Sequence, residues 1–177
     1  MNILDIAENS VKAGARQISI RLSYPDDTNL LLSIEDNGKG MDAETVKKVA
    51  DPFYTSRTTR KVGLGIPFIK MAAEMTGGSF VIDSTPGIGT TVRAEFKYGS
   101  IDMMPLGNIG ETMSALISGN TGIDFTYTVN RRGDEFTLDT RELKDILGGL
   151  SLEVPEVAIF IRDYTNEHTN SILSGME

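Results

Sequence analysis

The stretch QISIRLSYPDDTNLLLSIED, residues 17–36, decides the fold. Ile18, Ile20, Leu22 and Tyr24 recur at period two, PDDTN interrupts them, and LLLSIED resumes as a second strand, so the segment reads as an antiparallel hairpin. Asp36 closes the second strand in the same parity as Leu32 and Ile34 and therefore faces the buried layer, where a carboxylate needs a donor. The exocyclic amine of adenine would supply one, and the turn that follows, Asn37-Gly38-Lys39-Gly40, lets a flat ring approach its backbone. DNG is equally one of the commonest turn sequences, in which case Asp36 caps its own turn.

Upstream of the hairpin, DIAENSVKAGA places Asp5, Asn9, Lys12 and Arg16 at spacings of four, three and four, one polar stripe on a helix. Ile3, Ala7, Ser10, Val11 and Gly14 take the opposite face, which suits packing against a sheet. In the stripe, Asn9 offers a carboxamide oxygen to Mg²⁺, and Asp5 could position or deprotonate a nucleophile. An ordinary amphipathic surface helix would carry the same stripe.

Downstream, Asp42 can cap a short helix with Glu44 in its first turn. Residues 51–61 lack periodicity and read as a loop anchored by Phe53 and Tyr54 and a candidate lid, whose Arg57, Arg60 and Lys61 could swing onto outer phosphates or simply be solvated loop cations. Gly63, Leu64 and Gly65 fall where this lid meets a helix N-terminus, whose amides and dipole can cradle phosphate. That helix runs through Ile66, Ile69, Met71, Ala73 and Met75 and stops at Gly77-Gly78. Two strands follow around TPGIGT, and Thr90, in parity with Val92, Ala94 and Phe96, faces inward, where it could assist Asp36. The order helix, two strands, helix, lid, helix, two strands predicts an α+β unit, residues 1–98, with helices on one face of a mostly antiparallel sheet.

Residues 99–177 read as a small α+β extension and a candidate partner-binding region. It comprises a linker with Pro105, a helix over 111–117, a hairpin of DFTYTV and EFTLDT around NRRGD, and helices in RELKDILGG and PEVAIFIRDYTNEHTNSIL. Phe125, Tyr127, Phe136 and Phe160 are expected to form a small core there. The charge of −8 resides in this tail: residues 1–100 carry 12 acidic and 12 basic side chains, residues 101–177 carry 13 and 5. Such a balance argues against nonspecific binding to nucleic acid or anionic membrane, while a local basic patch could still bind a phosphate. The absence of cysteine and of any apolar run near the ~20 residues of a membrane span leads to an expected cytoplasmic location.

An Asp and Asn at helix spacing, DNGKG after a strand, DPFYTSR in a lid, GLGIPFIKMAAEMTGG and STPGIGTTVRAEF appear in one fixed order. This pattern, over roughly residues 2–97, resembles the ATP-binding domain of histidine kinases within the superfamily that includes gyrase, Hsp90 chaperones and mismatch-repair ATPases. The resemblance implies a two-layer α/β sandwich of the Bergerat type binding ATP and Mg²⁺. Asn9 would hold Mg²⁺ and Lys12 contact phosphate. Asp36 would read adenine beside Gly38, Gly40, Met41 and Thr90, while Gly63, Leu64 and Gly65 wrap the triphosphate beneath Phe53. Two positions depart from the pattern: Lys61 stands where relatives commonly carry glycine, and Asp5 stands where they often carry Glu or Asn, shortening the reach of a general base.

Histidine kinases phosphorylate a histidine on a helix upstream of the ATP domain, whereas here the ATP-site helix starts almost at Met1. The single histidine, His168, has no phosphoacceptor-like surroundings and reads as a surface residue. The expectation is therefore phosphoryl transfer in trans to an unidentified protein partner, as in the related anti-sigma-factor serine kinases, with Asp5 orienting the acceptor. The alternatives are an ATP/ADP-dependent regulatory binding module without transfer, or a slow ATPase. Whether the chain forms a homodimer is left open.

Overall fold

The hairpin forms as β1 (Gln17–Asp26) and β2 (Asn29–Asp36), antiparallel, with Ile20 opposite Ile34 and Ile18 opposite Asp36. Its tight end is held by Asp26, whose Oδ1 accepts from the Thr28 amide at 2.7 Å. The computed structural model of the protein describes residues 3–51, 64–103 and 105–174. α1 (Ile3–Lys12) precedes the hairpin; α2 (Ala43–Val49), α3 (Gly65–Met75), β3 (Ser79–Thr85) and β4 (Gly89–Lys97) follow it. Asp42 caps α2 as expected, accepting from the Thr45 amide at 2.7 Å, and that bond holds its carboxyl below the usual carboxylate range. β4 pairs antiparallel with both β2 and β3, so the expected antiparallel unit is present.

The sheet does not stop at residue 98. α4 (Ile109–Gly119), β5 (Asp124–Arg131), β6 (Asp134–Asp139), α5 (Thr140–Leu147) and α6 (Pro155–Leu173) continue the chain, and β5 lies parallel to β1 along its whole length. The strand order is β3-β4-β2-β1-β5-β6, one mixed sheet of six strands. Tyr127 stands beside Ile20 and Val129 beside Leu22, so Phe125, Tyr127, Val129 and Phe136 join the core of the hairpin, whereas Phe160, expected in a core, is about half exposed. The inner face is covered by α1, α3, α4 and α6. The outer face is polar, carrying Ser19, Arg21, Ser33, Glu35 and Arg93, as period-two strands with one buried side require. The molecule is thus α+β, with residues 99–177 extending the same sheet and core instead of forming a second core.

Two ion pairs to Asp27 fasten the tail to the hairpin turn. Arg131, 5% exposed, donates from Nη2 to Asp27 at 2.9 Å and from Nη1 to the Ser174 carbonyl at the end of α6 at 2.8 Å; Arg132 also contacts Asp27. Hydrogen bonds from Arg131 and then Arg132 hold the Asp27 carboxyl below its ordinary range. A carboxyl depressed by folding stabilises above its unfolded pKa and loses that contribution as pH falls through the folded value. The Asp27→Asn variant is therefore expected to melt below the parent protein at neutral pH. The gap should begin to narrow only below about pH 4 and close in stronger acid, measured as paired thermal melts across pH.

Candidate functional site

Asp36 ends β2 on the inner face, 9% exposed, and both of its oxygens are engaged by protein donors. The Gly38 amide donates to Oδ1 at 2.8 Å, which is the turn-capping role that DNG alone suggested. Ser10 Oγ, from α1, donates to Oδ2 at 2.6 Å. Each carboxylate oxygen has two lone pairs, so one on each remains available, and Asp36 lines the inner cavity. Ser10 was expected to serve packing; facing the same strand end, it also fixes the carboxylate. Its signal in the sequence was a small hydroxyl residue beside Asn9 on a buried helix face, indistinguishable there from an ordinary packing serine.

A cavity of about 610 Å³ opens above Asp36 between α1, α2 and the ends of β2 and β4, large enough for a small-molecule ligand. Of the residues expected at the site, Asn9, Lys12, Asp36, Gly40, Met41 and Thr90 all line it. Ile6, Val49, Ile66 and Val92 give it apolar walls, and Lys39 joins Lys12 in bringing positive charge to it. Lys12 is held loosely, 3.4 Å from Glu8 and exposed, so it remains free to turn onto an anion. The Asn9 side-chain nitrogen is buried and has no partner among the described residues, an orphaned amide group in a cavity wall.

The turn after Asp36 is locked from three sides. Asn37 Oδ1 accepts from the Arg16 and Gln17 amides at 2.8 and 2.9 Å, the Lys39 amide donates to the Ala13 carbonyl at 3.0 Å, and the Met41 amide donates to Ser84 Oγ at 2.8 Å. Ser84, absent from the expected set, is also 2.8 Å from Thr90 Oγ1. Thr90 stands opposite Asp36 in the β2–β4 register, as its parity required, but its direct bond is to Ser84. Gly40 adopts φ 65°, and a Cβ there would lie 1.9 Å from the Thr85 carbonyl oxygen, so both conformation and space require glycine.

The helix stripe is shorter than expected. α1 ends at Lys12 and Gly14 turns left-handed at φ 74°, so Arg16 leaves the Asp5–Asn9–Lys12 stripe and enters the approach to β1. Asp5, exposed, meets Gly65 where α1 crosses the start of α3: a Cβ on Gly65 would lie 3.0 Å from that of Asp5. Gly65 therefore has a packing reason independent of any phosphate. Leu64 takes the N-cap position of α3, gives no side-chain cap and is 46% exposed. Phe53, Tyr54, Arg57, Arg60, Lys61 and Gly63 lie outside the described residues.

A sheet covered on one face, with a strand-ending carboxylate at the floor of an apolar cleft and glycine turns at its rim, has the form of a small-molecule site. The chain belongs to the family described as histidine kinase-, DNA gyrase B- and HSP90-like ATPases, whose model matches residues 2–100. Over 98 residues it is 32% identical to the sensor histidine kinase YxdK of Bacillus subtilis, covering 51% of this chain and 30% of that protein. Over 91 residues it is 34% identical to the signal transduction histidine-protein kinase AtoS of Escherichia coli, covering 50% of this chain and 15% of AtoS. The match thus spans less than a third of either relative. Among solved structures, the Aquifex aeolicus MutL ATPase domain complexed with ADP shares the fold, with TM-score 0.50 and 14% identity. It covers 82% of this chain and 67% of that one, so the likeness reaches past residue 100 into the tail. No helix among the described residues is long and apolar enough to cross a membrane.

The Ser10 bond yields a direct expectation. In Ser10→Ala, Asp36 keeps Gly38 but loses the donor that fixes its second oxygen, and a bond to a charged acceptor contributes about 1.5–3 kcal/mol. ATP affinity is expected to fall at least about tenfold, with the far-ultraviolet spectrum unchanged, as read by calorimetric titration.

Proposed function

We propose that this protein binds Mg·ATP in the cavity above Asp36 and transfers the γ-phosphoryl group to a partner protein. The observation that carries the nucleotide reading is the Asp36 carboxylate, oriented by Ser10 and Gly38 with acceptor capacity left toward an apolar cleft. Adenine presents an amino donor to such an acceptor; guanine presents a carbonyl oxygen there and is rejected. Asn9, which lines the cavity, would hold Mg²⁺ through its side-chain oxygen, and Lys12 and Lys39 would meet phosphate oxygens. When bound, the ion neutralises charge on the phosphates of an otherwise weakly basic site.

Transfer in trans is supported by two features. His168 lies on α6, stacked 4.5 Å from the Phe136 ring of β6, three strands away from Asp36 in the sheet. Along α3, from its N-cap Leu64 through Phe68 and Met71 to its last residue Met75, runs a stripe of large apolar side chains, each about half exposed, whose Leu64 end adjoins Gly65, the residue that Asp5 meets. Such a stripe suits a docking protein whose acceptor would then lie near Asp5.

Incubating the protein with γ-labelled ATP and extract from its own source tests the reading. Label is expected on a second protein, and Asp5→Ala should slow its appearance with little change in ATP affinity. A partner retained with ATP but not ADP, and never labelled, would instead assign the chain to nucleotide-switched binding.

A further inference from the structure

The two margins of the sheet are guarded unequally. β6 is short, half acidic (DEFTLD), and leads directly into α5, features that discourage pairing with another strand. β3 is SFVIDST, seven residues without proline or lysine, and its one charge, Asp83, is neutralised by Arg93 at 2.8 Å across the outer face. Phe80 and Ile82 are only partly buried under the helical layer, and Val81 is 47% exposed on the other face. Among the described residues β3 pairs on one side only, with β4, and an edge strand with apolar residues on both faces is a template for one more strand.

The helix above supplies the identity of that strand. α3 lies over β3 and β4, with α1 on one flank, where Gly65 packs against Asp5. Lys70 and Glu74, five and nine residues on from Gly65, fall on the opposite flank, above the free edge of β3. Neither makes an ion pair among the described residues. We propose that β3 pairs antiparallel with β3 of a second copy about a two-fold axis. The axis reverses α3, so Lys70 of one copy faces Glu74 of the other and the contact is self-complementary in charge as well as in backbone. One short strand and a helix flank bury less than the ~800 Å² per partner of a standard interface, so the dimer is concentration-dependent. This interface is independent of the nucleotide reading.

Sedimentation velocity of the whole chain over a hundredfold concentration range tests the proposal. The expected result is a shift from 19.3 kDa toward twice that mass, weakened at least about tenfold by Val81→Lys, by Lys70→Glu and by Glu74→Lys, and restored when the last two are combined. The charge variants lie on exposed or half-exposed helix positions and keep the test decisive should Val81→Lys fail to fold. A monomer at every concentration, or a dimer indifferent to Val81→Lys and to the charge reversals, overturns it; the latter would place the contact elsewhere, as on the apolar stripe of α3.

Discussion

Replacing Asp36 with Asn is expected to weaken ATP binding at least about 100-fold, roughly 2.7 kcal/mol, while the protein still folds. The carboxylate accepts from Gly38 and Ser10 and has acceptor sites left for the adenine amine. An amide in its place keeps one oxygen. If that oxygen stays on the Gly38 amide, the NH₂ group points at both Ser10 and the ligand. Ser10 can reverse its hydroxyl and accept, so the fold loses little; the adenine amine cannot, and two donors then face each other. Calorimetric titration with ATP, beside thermal melts of the same samples, separates the two effects. An unchanged affinity would remove Asp36 from the site.

A fragment ending at residue 98 is expected not to fold cooperatively, although it contains nearly the whole family match. Cutting there strips β5 from the full length of β1 and removes Met113, Leu116, Phe125, Tyr127 and Val129 from the shared core, each at most 1% exposed. The inner faces of Ile18, Ile20 and Leu22 would lose part of their cover and β1 would become an open edge. A milder probe is Tyr127→Ala, which deletes a fully buried ring and the Thr169 hydrogen bond of its hydroxyl at 2.9 Å. The cost is about 3–5 kcal/mol, read from urea unfolding midpoints of the whole chain. A 1–98 fragment that unfolds at the parent midpoint would show that the tail is an appendage.

The contrast between those two expectations separates what local sequence encodes from what it does not. Period-two alternation is a local property, so the hairpin, the inward parity of Asp36 and Thr90, and the tail hairpin could all be read from residues a few positions apart. The parallel pairing of Gln17 with Asp124 joins residues more than a hundred positions apart, and nothing in either strand names its partner. A tail read in isolation therefore looked like a small α+β unit with a core of its own. The same limit explains Ser10: helix periodicity placed it on the buried face correctly, but only the fold reveals that the face at that point is the end of β2 and not aliphatic core. Arg16 was misplaced for a local reason, because Gly14 can end a helix as readily as continue its count. Gly65 carried two demands at once, a helix start and a close crossing with α1, and sequence exposed only the first.

Titrating the intact protein with ATP and with GTP in the presence of Mg²⁺ tests the central claim most directly. One ATP is expected to bind per chain, and GTP more weakly by at least about 100-fold, since the guanine carbonyl would confront the Asp36 carboxylate. No binding of ATP, or equal affinity for the two nucleotides, would contradict it.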